Sequence, residues 1–452
     1  MPVIDPDWTA PREGQDWQDH DLLLAVAWLK SLVPRQDMER RLGAARDFLV
    51  DAKRSMREGN MAPLFDPADT IAWYVFQAET FATDRAFWTP DGVAEAVPYL
   101  TRLGKELQRL LTIPGIEERA SRMMLAERRQ PDGVLFELLV ALAYRRGGWN
   151  VEFVPEVRGG ARTPDLLVSR PRSHWAVECK RMTPSPYGTD ERSRGAQIAN
   201  PVHALALERY CSTKVIVKYK VEFSDIPDDY LAKAVEPAIS RNSREIWDDE
   251  ISTGIAEPIN WSLARRILRN DYVYFGGSRM IEILCGSYFH HAEHSMSAKW
   301  RPWGDRPDYA DAVYHASVVS WISGSSEARR KKTRHFKRIV AGAERQLPSD
   351  VPGVVHVGID SKIGSDDFSR HILNHMYARD FSLTNSRLRW IYGNYFVPEQ
   401  TTRKNESWAF TETMVPYRVG RHRTRWPLPN HYLVIPIGEG RQGVHWDGRG
   451  KE

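Results

Sequence analysis

Residues 163–182 read TPDLLVSRPRSHWAVECKRM, and this segment decides the fold of the chain around it. Two runs rich in apolar and β-branched residues, 164–169 and 174–182, predict two β-strands. Proline is acceptable at the first residue of a strand, so Pro164 is compatible with the first of them. The short link through residues 171–173 joins the two strands into a hairpin.

Charged and apolar side chains alternate along the second strand of this hairpin. Successive side chains point to opposite faces of a strand, so Glu178 and Lys180 project from the same face. The hairpin also brings Asp165 toward them, which places two carboxylates and an ammonium at one edge of the sheet. The other face of the strand is apolar and is predicted to enter a core: Trp175, Val177 and Cys179.

An apolar helix precedes the hairpin. Residues 134–144 contain one charged side chain, Glu137, and the run ends at Gly147-Gly148, a typical C-terminal signal of a helix. Burying an unpaired charge is expensive, so Glu137 requires a partner. A metal ion or a metal-bound water would provide one.

Two neighbouring carboxylates repel each other and do not both stay ionised without a cation. Mg²⁺ relieves this repulsion, because it binds one or two carboxylates together with waters and substrate phosphate. Such an ion polarises a phosphoryl oxygen and generates hydroxide near neutral pH. Lys180 then either orients the attacking water or offsets the charge that develops on the phosphate.

Three short segments together resemble the PD-(D/E)xK superfamily of restriction-endonuclease-like nucleases: Phe136-Glu137-Leu138, Thr163-Pro164-Asp165 and Val177-Glu178-Cys179-Lys180-Arg181. The resemblance covers residues 131–223, and it implies a phosphodiesterase that uses Mg²⁺ (or Mn²⁺) and acts on DNA or, less often, RNA. The implied fold is α/β, a mixed central sheet flanked by helices.

Carried over by position, the resemblance implies that Asp165 and Glu178 bind the metal, with the carbonyl of Cys179 as a further ligand. Glu137 would complete the acidic cluster, and Lys180 would be the catalytic lysine. Some branches of the superfamily add a glutamine and a tyrosine on the next helix. Here Gln197 matches the glutamine, but the residue four positions later is Pro201.

Basic residues after the hairpin are candidates for contacts to a nucleic-acid backbone. Arg192 and Arg194 follow the lysine motif closely. Farther along, seven of the ten residues in 329–338 are basic, and apolar residues at helical spacing predict an amphipathic helix there. Such a face neutralises phosphates without reading sequence, although a solvated helix surface explains the same pattern. The candidate contacts are Arg192, Arg194, Gln197, Arg330, Arg334, Lys337 and Arg338.

The element order predicted around the motif is α-β-β-β-α-β, with a helix over 191–209 and a strand over 213–223 completing the core sheet. This order divides the chain into four regions: an α-helical N-terminal region at 1–120, a nuclease core at 121–225, a largely helical extension at 226–350 and a mixed α+β C-terminal region at 351–452.

Two other functional hypotheses remain open. One is a nuclease fold that has lost activity and only binds nucleic acid. The other is a zinc hydrolase, because His290-His291-Ala292-Glu293-His294 matches H-x-x-E-H, in which two histidines one helical turn apart bind Zn²⁺. That site needs a sustained helix, whereas the neighbouring residues are typical of a loop.

Composition sets the remaining expectations. Basic and acidic residues nearly balance, at 63 and 59, so any nucleic-acid surface must be local. The three cysteines show no C-x-x-C spacing, which excludes a zinc ribbon and fits a reducing compartment. With no signal segment and no long apolar run, we expect a cytoplasmic protein without membrane contact. Analogy of fold suits a restriction or antiviral defence nuclease, acting alone, as a homodimer or as the subunit of a larger system.

Overall fold

The fold is that of a computed structural model of the chain. It describes the following residues: 19–57, 62–83, 87–155, 163–182, 186–303, 306–361, 365–382, 387–404, 408–422, 424–428 and 432–435.

Thirteen α-helices and twelve β-strands are assigned within these ranges. The helices are α1 (Asp19–Ser31), α2 (Arg35–Arg57), α3 (Thr70–Thr83), α4 (Pro90–Lys105), α5 (Leu107–Leu110), α6 (Ile116–Met124), α7 (Asp132–Arg146), α8 (Pro186–Glu208), α9 (Tyr230–Arg241), α10 (Trp261–Leu268), α11 (Ser278–Cys285), α12 (Ser326–Glu344) and α13 (Ser365–Arg379). The strands are β1 (Asn150–Phe153), β2 (Leu166–Arg170), β3 (Ser173–Met182), β4 (Thr213–Tyr219), β5 (Glu245–Asp248), β6 (Ser252–Pro258), β7 (Val273–Tyr274), β8 (Glu293–Trp303), β9 (Arg306–Ser323), β10 (Gly353–Asp360), β11 (Leu388–Gln400) and β12 (Trp408–Arg418).

The first sheet has the strand order β1-β2-β3-β10-β11-β12. The strands from β1 to β3 are antiparallel, β10 runs parallel to both β3 and β11, and β12 returns antiparallel to β11. All residues of β10 except the last are buried, as expected for a parallel strand covered on both faces. Helices cover both faces, which confirms the expected α/β class.

The alternation of side chains along β3 determines which of its residues lie on each face of the first sheet. Val177 and Cys179 belong to a large core that also contains α4 and α7. Met182 belongs to a separate core on the other face, with Phe336 and Val340 of α12. Since Glu178 and Lys180 share the phase of Met182, they point toward the α12 side.

A second sheet has the order β5-β6-β4-β9-β7, with β8 also paired to β9. Helices α8 and α9 cover one face, and α10 and α11 cover the other. The expectation that the strand over 213–223 completes the first sheet is therefore wrong. This strand, β4, pairs with β6 and β9, and β10 occupies the position beside β3.

After β3, the next elements of the first unit (the first sheet and its helices) are α12 and β10. Residues 186–323, between β3 and α12, form the second sheet and its helices, which we call the second unit. The expected boundary at 225 falls inside this unit, whose core contains both Val215 and Val235. The boundary at 350 separates α12 from β10, although both build the first unit.

The N-terminal helices do not form a region with its own core. Leu22, Trp73 and Val97 belong to the same core as Val134 and Phe396. The expected boundary at 120 lies within α6, and α6 packs directly on α7. None of the described helices has the length and apolar character needed to cross a membrane.

Residues 432–435 form a bend, although three of these four residues are apolar. The backbone N–H groups of Leu433, Val434 and Ile435 donate hydrogen bonds to the carboxylate of Glu412, at 2.7, 2.8 and 3.1 Å. A buried side chain, rather than a neighbouring strand, satisfies these donors, so this apolar segment is not part of a sheet.

Candidate active site

The hairpin places Asp165 beside Glu178, as the sequence predicted. Strands β2 and β3 pair antiparallel, with Leu166 opposite Val177, so Asp165 lies one step further along, level with Glu178. The N–H of Cys179 donates a hydrogen bond to Asp165 Oδ2 at 2.7 Å. This bond fixes a carboxylate of one strand against the backbone of the other.

Glu178 is fully buried and lies in an electrostatic environment that disfavours its ionised form. One carboxylate oxygen forms an ion pair with Lys180, and among the residues that the structure describes Glu178 Oε2 has no hydrogen-bond partner. Burial, together with the nearby Asp165 carboxylate, raises the pKa of Glu178 to about 8.

Lys180 remains a cation in this site. Burial lowers the pKa of its ammonium, but the Glu178 and Asp165 carboxylates raise it more, so the net pKa lies above the usual value. Its side chain is 32% exposed and reaches the surface of the α12 side. It is therefore a permanent hydrogen-bond donor at neutral pH.

Glu137 approaches the site from the opposite face of the sheet, on α7. It forms an ion pair with Arg119 of α6, whose Nη1 lies 3.0 Å from Glu137 Oε2. The same guanidinium lies 3.9 Å from Asp165 Oδ1. Burial and the Asp165 carboxylate nevertheless raise the pKa of Glu137 well above its ordinary value.

Arg119 was not among the candidate site residues, because α6 was not among the predicted helices. The sequence does contain a signal for this helix: in the segment 116–124 the apolar residues recur at helical spacing, with Arg119 and Arg122 between them. The structure thus pairs Glu137 with two arginines, Arg119 and, at 3.9 Å, Arg122.

The four predicted metal ligands, Asp165, Glu178, Cys179 and Glu137, do not form one metal-binding group. Among the described residues, no three His, Cys, Asp or Glu side chains are grouped so that they could hold a metal ion. Asp165 and Glu178 are adjacent, while Glu137 is held by Arg119 on the other face. The Cys179 side chain is buried in the α7-side core, so only the backbone of this residue is available to the site.

Asp165 and Glu178 nonetheless fit a hard divalent cation. Their donors are carboxylate oxygens, and the high pKa of Glu178 together with its unpartnered oxygen indicates missing positive charge. Mg²⁺ is commonly bound by one or two carboxylates and completed by waters. A two-carboxylate site matches this preference without Glu137.

A cleft of about 510 Å³ opens beside Lys180, between β3 and the C-terminal half of α12. We call it the α12 cleft. It is lined by Lys180, Arg181, Arg338, Ile339, Gly342, Arg345 and Gln346.

The basic segment 329–338 divides into groups with different surroundings. Lys331 and Lys332 attach α12 to the second unit through ion pairs with Glu222 and Glu191, at 2.6 and 2.7 Å. Arg338 instead lines the α12 cleft.

The other three candidates on α12 are exposed but already have partners. Arg330 and Arg334 lie 3.7 and 2.8 Å from Glu327, and the Lys337 ammonium lies 5.0 Å from the ring centroid of Tyr377. Only Arg338 among the predicted contacts of this helix lies next to Lys180.

The candidates on α8 are only partly available for a ligand. The Arg194 guanidinium donates to the backbone carbonyls of Phe223 and Ile226, at 3.4 and 2.6 Å, and forms an ion pair with Asp228. It therefore holds the loop after β4, and a contact with substrate would require breaking these bonds. Arg192, 3.4 Å from Glu293, and Gln197 are exposed.

The helical arrangement that the zinc-hydrolase hypothesis requires is not formed. The segment 290–294 is a turn that leads into β8, so His290 and His294 do not share a helical face. His294 Nδ1 lies 2.8 Å from Ser320 Oγ, and its Nε2 lies 3.1 Å from the carbonyl of Phe289. Both ring nitrogens are thus engaged within the protein.

Comparisons with known proteins found no matching family model, no similar curated protein and no similar solved structure. The functional assignment therefore depends on the geometry and chemistry of the site.

Proposed function

We propose that this protein is a metal-dependent nuclease that hydrolyses phosphodiester bonds, with Asp165, Glu178 and Lys180 as its catalytic set. The observation that supports the proposal best is the Asp165 carboxylate, which the Cys179 N–H fixes on the strand that carries Glu178, next to a lysine that lines a basic cleft. DNA is the favoured substrate class, and the three buried, unbridged cysteines suit a cytoplasmic protein.

The fold supports membership of the PD-(D/E)xK superfamily as part of this proposal. Helix α7, the strands β1 to β3, helix α12 and strand β10 reproduce the order α-β-β-β-α-β, with the second unit inserted between β3 and α12. The acidic pair and the lysine lie at one end of the β2–β3 hairpin, and Lys180 also lines the α12 cleft.

Asp165 and Glu178 would hold Mg²⁺, and the ion when bound would polarise a phosphoryl oxygen and lower the pKa of a coordinated water. Asp165 is prepared for this role because its second carboxylate oxygen is already fixed by the Cys179 N–H. Lys180 is charged at neutral pH, so it donates a hydrogen bond to the phosphate rather than accepting a proton.

Glu137 has a supporting role in this scheme. Through Arg119, which lies near both carboxylates, it positions the guanidinium beside Asp165. We therefore expect Glu137 substitutions to act mainly on stability and less on the chemical step.

The test is cleavage of DNA and RNA with Mg²⁺ or Mn²⁺ by the full chain and two variants, Asp165→Asn and Lys180→Met. Each substitution should reduce the cleavage rate by roughly 100-fold or more, as removal of a positioned electrostatic group does. Asp229→Asn and Lys233→Met are matched controls, because this exposed ion pair lies at the N-terminal end of α9 in the second unit.

Equal cleavage by the wild type and both site variants would contradict the proposal. Binding of nucleic acid in EDTA, with no cleavage of any substrate in Mg²⁺ or Mn²⁺, would instead identify a nuclease fold that only binds.

A further inference from the structure

We infer that the α12 cleft is a phosphate-binding subsite, in which Arg338 and Arg345 hold backbone phosphates of the nucleic-acid strand next to the one that Lys180 contacts. The inference deepens the proposed function, and the role of this subsite in catalysis rests on that function. It assigns α12 as the element that positions the strand.

The charge around the cleft is the first reason. Its lining contains four cationic side chains and no acidic one. Lys180 and Arg181 are paired with Glu178 and Asp360. Arg338 and Arg345 are exposed and, within the described part of the chain, form no ion pair with an acidic side chain.

The lack of an acidic partner within the described residues distinguishes Arg338 and Arg345 from several other cations of this helix. Lys331, Lys332 and Arg334 each lie within 3 Å of a glutamate oxygen, so their charge is already compensated. Like charges gathered around one cleft repel each other unless an anion binds between them. The charge of Arg338 and of Arg345, which directly follows α12, therefore remains available to a ligand in the cleft.

The shape of the cleft is the second reason. Gly342 lies between the two arginines, four residues after Arg338 and three before Arg345, so all three share one side of the helix. A Cβ added at Gly342 would meet only the Arg345 guanidinium, at 4.0 Å. The volume of about 510 Å³ lies within the roughly 300–1,000 Å³ that is typical of ligand sites.

The third reason is the spacing of the two arginines along the helix. A rise of about 1.5 Å per residue separates Arg338 and Arg345 by roughly 10 Å along the axis of α12. A guanidinium group presents its N–H donors in a planar fork that matches phosphate oxygens. Two such forks along one helix, continuous with Lys180, suit successive phosphates of a strand better than one free phosphate.

The test measures binding of a fluorescein-labelled DNA duplex, and of its separate labelled strand, to the full chain in EDTA over a range of salt concentrations. Arg338→Ala/Arg345→Ala should reduce the slope of log K against log salt by about 1 for each phosphate that the variant no longer neutralises. The matched control is Arg265→Ala/Arg266→Ala, which removes two exposed arginines from α10 of the second unit and should leave the slope unchanged.

A second pair of variants tests the cleft without removing an arginine. Gly342→Glu places a carboxylate between Arg338 and Arg345 and should weaken binding at least 10-fold, whereas Gly342→Ala should bind like the wild type. Competition with inorganic phosphate and with a nucleoside monophosphate separates the sources of the ligand. Neither should displace the oligonucleotide at concentrations near its own.

The inference is overturned if the arginine variant keeps the wild-type slope, or if Gly342→Glu binds like Gly342→Ala. Displacement by inorganic phosphate or the mononucleotide at low concentration would also overturn it, in favour of a small-anion site. These results are independent of the nuclease proposal, which fails if the wild type does not cleave. A protein that cleaves but retains its slope in the arginine variant refutes the subsite alone.

Discussion

Replacing Glu178 with glutamine should stabilise the metal-free protein and abolish its response to Mg²⁺. The carboxyl is fully buried, one of its oxygens has no hydrogen-bond partner among the described residues, and its pKa is raised from 4.5 to about 8. The folded state therefore resists ionisation of this group, and the free energy of unfolding decreases as the carboxylate forms.

The size of the effect follows from the raised pKa. Below about pH 4.5 the group is protonated in both the folded and the unfolded state, so it adds no pH-dependent penalty. Between pH 4.5 and 8 the folded protein binds the extra proton, and stability decreases as pH rises. At about 1.4 kcal/mol for each tenfold change in proton affinity, the penalty is about 3 kcal/mol at pH 7 and about 5 kcal/mol well above pH 8.

Glutamine removes this penalty but also removes the anionic partner of Lys180. Because the Lys180 side chain is 32% exposed, water compensates much of that loss. The net gain should be about 1–3 kcal/mol at pH 8, and it should shrink toward zero near pH 4.5. With an entropy of unfolding of about 2.1 cal/mol/K per residue, this corresponds to a rise in Tm of roughly 1–3 °C.

The assay is thermal unfolding of wild type and Glu178→Gln in EDTA and in Mg²⁺ between pH 5 and 8. Wild type should gain stability from Mg²⁺, by about 2.7 kcal/mol at 100 times the Kd, and the variant should gain little. Glu412→Gln is the matched control: three backbone N–H groups donate to the Glu412 carboxylate, so the amide replaces an acceptor with a donor and should destabilise by about 1–3 kcal/mol.

The reasoning is refuted if Glu178→Gln is less stable than wild type in EDTA at pH 8. It is refuted equally if the stability difference does not depend on pH. A wild type whose Tm is unaffected by Mg²⁺ would remove the metal-binding role of this carboxylate.

Two further predictions concern stability. Gly342→Ala should stabilise by roughly 0.5–1 kcal/mol through helix propensity, because its Cβ has open space, whereas Gly104→Ala should destabilise by about 3 kcal/mol or more, because its Cβ would lie 1.7 Å from the carbonyl oxygen of Asp21. Urea unfolding measures both, and equal effects would contradict the packing. Arg119→Ala should cost about 1–3 kcal/mol at pH 8, because it removes the nearer of the two guanidinium groups beside the buried Glu137 carboxylate and leaves only Arg122, at 3.9 Å, and less at pH 5, where Glu137 is more readily protonated. A loss that is the same at both pH values would show that the guanidinium contributes packing rather than charge.

The features that the sequence predicted correctly are local. Alternation over about ten residues determines which side chains of β3 share a face, and a short link determines that β2 and β3 form a hairpin. These two facts suffice to bring Asp165 to Glu178. The apolar run of α7 was equally clear from its length and its terminal glycines.

Long-range pairing had no comparable signal. The sequence offered β4 as the neighbour of β3, because β4 is the next strand-like run, yet β10 takes that position about 170 residues after β3. Both runs are rich in valine, and a run of valines does not encode which partner strand it meets. The choice depends on how the second unit packs into a core of its own.

The sequence by itself determined the hairpin, the identities of its acid pair and lysine, and the basic character of α12. Only the tertiary structure decided that Glu137 is paired with Arg119, that Lys331 and Lys332 attach α12 to the second unit, and that Arg338 and Arg345 line one cleft with Lys180. The physical reason is that side-chain periodicity depends on covalent neighbours, whereas the partner of a charge depends on which distant elements pack together.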